Sequence, residues 1–221
     1  MTTIAYLLID VDGVLIPFPD SAGNGPATHV RHLVVPTGYD ADKPVPIWLN
    51  PAHGPMLTNL FQDVPVAPVW CTSWHGDAST LIGPKLGLPP LPHVELGRPA
   101  ISTSHPNGYL WKRDPVTRWL GSAPAAWIDD DFTPADHAWA AHRTQSGIPT
   151  LLIQPDPMTG LEPSHLDAVR TWALGITTES PAALRVVPAQ MLGSGPSTRE
   201  ARKTRVDLPA LDQSRWGPTP T

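Results

Sequence analysis

Four aspartates carry the chemistry this chain could do. Asp10 and Asp12 stand one residue apart where the apolar run of "LLIDVDGVLIP" (7–17) stops, and Asp129 and Asp130 close a second apolar run in "AAWIDDD" (125–131). Two like charges about 4 Å apart repel by roughly 4 kcal/mol at an effective dielectric near 20. Carboxylates that converge therefore need a shared proton or a bound cation. A hard divalent ion with oxygen ligands, Mg²⁺ above all, suits such a set, and would in turn draw a phosphate.

The elements that must position these residues are legible around them. "IAYLLID" (4–10) and "VAPVWCTS" (66–73) are apolar without alternation, the mark of strands buried on both faces. "AAWIDDD" and "PTLLIQPD" (149–156) read the same way, and "LPHVEL" (91–96) is a weaker strand. Helical patterns fall at 51–63, 74–86, 109–121, 133–147 and 162–175. Thr133 and Pro134 mark the N-cap and first helical position of the fourth. Strands alternating with helices predict an α/β fold, a doubly wound, mostly parallel sheet over residues 1–175. In such sheets ligands bind beyond the carboxyl ends of the strands, where Asp10/Asp12, Thr72/Ser73 and Asp129/Asp130 all fall. The stretch 14–50 is rich in Pro, Gly and Asp, with two strand-like pieces, "HVRHLVVPTG" and "VPIWLN". It is long enough for a small flap, and the whole span between Asp12 and Val66 is too short for a large cap domain.

Composition narrows the function. Residues 1–175 carry 9 Lys+Arg against 16 Asp+Glu, net −7, while residues 176–221 carry 6 against 4, net +2. An acidic body argues against non-specific nucleic-acid binding. The last segment is rich in Pro, Ser, Thr and Arg and is expected to be disordered. The single cysteine, Cys71, excludes an intrachain disulfide, in keeping with a cytoplasmic location. Neither a signal peptide nor an apolar run of membrane-spanning length is seen. None of the nine histidines falls in an H-E-x-x-H pattern, although His75 lies just after Thr72.

These motifs, in this order, resemble those of the haloacid dehalogenase-like (HAD) superfamily of phosphohydrolases. "LLIDVDGVL" is similar to its first motif, "VWCTS" to its second, Lys112 in "GYLWKRDP" to its third and "AAWIDD" to its fourth. "WCTSW" (70–74) is closest to a branch associated with nucleic-acid repair. The resemblance implies a Mg²⁺-dependent phosphatase in which Asp10 is the nucleophile and Asp12 the general acid and base. Thr72, with Ser73 as reserve, would bond the transferring phosphoryl group, and Lys112 would neutralise it. The metal set would be Asp10, the Asp12 backbone carbonyl, and Asp129 or Asp130. Gly13 would leave room beside the phosphate, and Trp74 or Trp111 could either stack on a flat leaving group or pack in the core.

Each residue has a plainer reading as well. Thr72 could cap the helix at 74–86, Asp129 and Asp130 could favour the following helix dipole, and Arg113 or Arg98 could replace Lys112. Asp131 reads as an exposed turn residue. The substrate expected of an open site is a bulky phosphorylated one, a polynucleotide end or a protein, with a small phosphate monoester as the alternative. The rival functions are a metal-dependent nuclease and a non-catalytic phosphate-binding scaffold.

Overall fold

The computed structural model describes residues 5–97 and 107–178. The predicted tail beyond residue 178, and Arg98, lie outside the described residues. Elements follow in the order β1 (Ala5–Ile9), β2 (Val30–Val34), β3 (Val45–Leu49), α1 (His53–Asp63), β4 (Val66–Trp70), α2 (Arg113–Leu120), β5 (Ala125–Ile128), α3 (Pro134–Gln145), β6 (Thr150–Ile153) and α4 (Pro163–Thr178).

The apolar runs become one all-parallel sheet in the order β4-β1-β5-β6. β1 shows why it lacks alternation. Ala5, Leu7 and Ile9 pack on one face with Leu57 and Leu60 of α1 and Leu166, Val169 and Ala173 of α4. Leu8, with Tyr6 beside it, packs on the other with Val116 and Leu120 of α2 and Trp139 of α3. Each fully buried leucine contributes roughly 2 kcal/mol. The sheet is thus covered on both faces, an α/β Rossmann-like arrangement as expected. The strand order reverses around β1, so the crevice at its carboxyl end is the natural binding place.

Two expected elements are replaced. The helix expected at 74–86 is a series of turns, then a π-type turn over Ala78–Ile82 and a 3₁₀ turn over Gly83–Leu86. Pro84 explains the break, since it offers no N–H to a regular helix and crowds the preceding turn. The strand expected at 91–96 shrinks to a single parallel bridge between Trp70 and His93, because Pro90 and Pro92 remove donors from that edge. α4 also runs past the expected end at 175, to Thr178.

The stretch after Asp12 holds the β2–β3 antiparallel hairpin, with Val30 opposite Leu49 and Val34 opposite Val45. Among the described residues there is no larger insertion over the sheet. The hairpin's connection is latched to the turn after β4: Asp77 accepts the Thr37 N–H at 2.6 Å and its hydroxyl at 2.7 Å. No described helix is long and apolar enough to cross a membrane.

His53, buried at the start of α1, bonds the Leu161 carbonyl at 2.9 Å, and its buried Nδ1 has no hydrogen-bond partner among the described residues. Burial pushes its pKa down to about 4, against the smaller upward pull of the Leu161 carbonyl. The folded form keeps this ring neutral, so its contribution is whole above the unfolded value of about 6.5 and is lost as pH falls toward 4. Between pH 7.5 and pH 5 the wild type should lose about 2 kcal/mol more stability than His53→Gln. Urea unfolding of both proteins at the two pH values measures the difference.

Candidate active site

The parallel register brings three strand tips side by side. The Asp10 N–H bonds the Ile128 carbonyl at 3.0 Å, the Cys71 N–H bonds that of Ile9 at 2.8 Å, and the Asp129 N–H bonds that of Ile153 at 3.1 Å. Asp10, Thr72 and Asp129 therefore leave the sheet at one level, and all three are buried. Lys112, only 5% exposed, reaches between the carboxylates. Its Nζ donates to Asp10 Oδ2 at 2.5 Å and to Asp129 Oδ2 at 2.8 Å.

A residue that sequence reasoning missed fixes the Lys112 backbone. Asp136, 1% exposed in the first turn of α3, accepts the Thr133 N–H at 2.9 Å and the Leu110 N–H at 3.0 Å. It thus caps its own helix and pins the chain two residues before Lys112. Arg113 is drawn to the same place. It donates to the Ala135 carbonyl at 3.1 Å and lies over the Tyr109 ring, so its charge faces α3 while Lys112 supplies the cation between the aspartates. The Thr133-x-x-Asp136 spacing was a capping-box signal, but nothing local announced its long-range partner.

Asp12 is held differently. The Trp74 indole N–H lies 3.1 and 3.0 Å from its two carboxylate oxygens, and the Ser73 hydroxyl 3.4 Å from Oδ2. Trp74 is buried in the core beside α1, so its polar edge serves Asp12 and its ring offers no open face for stacking. Trp111 is half-buried against the opposite core. Thr72 accepts a long 3.4 Å bond from the Trp74 N–H. Gly13 takes a left-handed φ of 71°, and a Cβ there would run into the Asp130 carboxylate.

Ligand oxygens of Asp10, Asp129 and Asp130 lie within 4.8 Å of one another. The Asp12 side chain, turned to Trp74, stands outside this group. Burial, then the charge of Asp10, pushes Asp12 up to about 6 and Asp130 up to about 7. Burial pushes Asp129 up to about 8 against the pull of Lys112. Burial would lower Lys112, but the charges of Asp10 and Asp129 together hold its ammonium well above the ordinary value. Lys112 pairs with two of the three carboxyl groups, so the cluster offers more hard oxygen donors than its one ammonium can neutralise. That donor set fits a divalent ion such as Mg²⁺. Cys71, fully buried next to Thr72, has its thiol pushed up by burial and offers no nucleophile.

Charge crowding predicts two substitutions of opposite sign. Lys112→Met leaves Asp10 and Asp129 buried without a counter-charge and should cost about 3–5 kcal/mol in metal-free protein. Asp130→Asn relieves the crowding and should raise metal-free stability, while removing the rise in unfolding midpoint that Mg²⁺ gives the wild type. Urea and thermal unfolding in chelator and in Mg²⁺ measure both.

No curated protein and no solved structure matches the chain. One protein family does, described as the HAD domain in Swiss Army Knife RNA repair proteins, over residues 6–166. The matched span takes in every strand tip, Lys112 and the acidic cluster described above, and the chain belongs to this family of HAD-superfamily domains.

Proposed function

We propose that the protein is a Mg²⁺-dependent phosphatase that works through an aspartyl-phosphate, on a phosphate monoester carried by a nucleic-acid end. The observation that carries this reading is Lys112 bound to both Asp10 and Asp129, with Asp12 held apart on its own donors. Family membership supports the coarser statement, a HAD phosphoesterase of the nucleic-acid repair branch. A Mg²⁺ ion held by Asp10, Asp129 and Asp130, with the Asp12 carbonyl, would supply charge neutralisation to the phosphate oxygens.

The chain's own residues divide the remaining work. A carboxylate oxygen of Asp10 attacks phosphorus as the ester P–O bond breaks. The Asp12 carboxyl gives its proton to the departing oxygen, then as carboxylate takes one from the water that cleaves the Asp10–phosphorus link. Microenvironment supports the pairing of roles. Asp10 is held by the ammonium, while Asp12, raised to about 6, can carry a proton near neutrality. Thr72 donates its hydroxyl to the phosphoryl oxygens, with Ser73 as reserve, and Lys112 balances their charge. The close approach of Gly13 to Asp130 keeps side-chain bulk out of the site. A two-stranded hairpin in place of a cap domain suits a substrate whose body stays outside while its end enters.

A nuclease working through two metals is the less favoured reading, because Lys112 already fills the space between Asp10 and Asp129. Oligonucleotides phosphorylated at either end, nucleotides and a generic phosphate monoester, each assayed with Mg²⁺, test the proposal. Phosphate release should fall about a thousandfold or more in Asp10→Asn. Beryllium fluoride should form an adduct on Asp10 in the wild type. Strand cleavage without phosphate release would refute the phosphatase reading.

Trp74 enters as a positioning residue for Asp12. Trp74→Phe keeps the ring and deletes the N–H, so kcat should fall about tenfold with KM little changed. A rise in KM with kcat kept would instead indicate a substrate contact. Steady-state kinetics on the best oligonucleotide substrate decides between them.

A further inference from the structure

His75, His93 and Glu95 form a second ligand cluster, with donor atoms all within 4.8 Å of one another. We propose that this cluster is a binding site for a divalent transition-metal ion of the Zn²⁺ type, separate from the aspartate centre. The donor set is two imidazoles and a carboxylate, which suits Zn²⁺ and leaves a coordination position open. It is a poor set for Mg²⁺, which takes oxygen ligands.

Backbone geometry presents the ligands before any ion arrives. His93 sits on the edge of β4, where the Trp70 N–H bonds the Pro92 carbonyl and the Val94 N–H bonds the Trp70 carbonyl, both at 2.9 Å. His75 follows the Thr72 turn, its N–H bonded to the Thr72 carbonyl at 3.2 Å. Among the described residues it is the one non-glycine with a positive φ, 47°. The two rings meet edge to face with centroids 6.2 Å apart. Gly76 lies under the His93 ring, which a Cβ at that position would approach to 3.9 Å. Glu95 already reaches His93 Nε2 at 2.9 Å while its side chain stays 83% exposed, so the site is open to solvent. Donors around a tetrahedral ion with 2.0–2.1 Å bonds stand about 3.3 Å apart, within a small side-chain adjustment of the present spacing.

The bound ion would tie the segment 93–95 to the turn that carries Thr72, Ser73 and Trp74. The site therefore braces the turn that holds Asp12, without taking part in phosphoryl transfer.

Calorimetric titration of the full chain with Zn²⁺, and Co²⁺ absorption spectra, test the proposal. With excess Mg²⁺ supplied to the aspartate centre, one Zn²⁺ should bind per chain in the wild type and equally in Asp130→Asn, whose aspartate centre is impaired. His93→Gln and His75→Ala should each weaken binding about a hundredfold, and the exposed Glu95→Gln about tenfold. Circular dichroism in chelator checks that each variant is folded, and Glu95→Gln serves if a histidine variant is not. Tetrahedral Co²⁺ bands lost in the same variants would support the site. Absence of one-to-one binding, binding unchanged in all three ligand variants, or binding lost only in Asp130→Asn would overturn it.

Discussion

One ammonium set among buried carboxylates governs this structure. Lys112 is nearly inaccessible to water and touches Asp10 and Asp129 together. Burial works against the lysine's charge at that depth, and the two carboxyl groups beside it let it keep its proton. Asp130 adds a further carboxyl group outside the lysine's two ion pairs. The cluster thus holds more carboxyl groups than its one ammonium can balance, and a proton or a divalent cation can make up the difference.

The fold answers the cost of this arrangement by placing it where the backbone is most constrained. Asp10 and Asp129 follow directly on neighbouring parallel strands, so their spacing is set by the sheet ladder. Lys112 comes from a loop, the least constrained origin, and there Asp136 restores order with bonds to Leu110 and Thr133. A buried carboxylate outside the acidic cluster therefore orders the ammonium inside it.

Much of this was legible in the sequence. Unalternating apolar runs mark all four sheet strands, two of them, β1 and β5, ending on aspartate, because apolarity on both faces and a polar stop at the tip are both local properties. The β2–β3 hairpin and the Thr133 cap were local as well. The turns at 74–86 were not read correctly: Leu81, Ile82 and Leu86 suit a helical pattern, and the proline that widens the turn acts through a missing hydrogen bond. The sequence leaves Trp74 open between a stacking ring and a core ring; the ring packs in the core, and the indole N–H bonded to Asp12 is the part neither reading names. Asp136 stayed hidden because its importance lies in a partner 26 residues away.

The position of Cys71 has a consequence of its own. The chain's single sulfhydryl lies in the strand end beside Thr72, wholly enclosed and kept in its neutral form. Peroxide and electrophiles react with exposed thiolates. The centre that depends on this strand end therefore presents no exposed thiolate to such reagents.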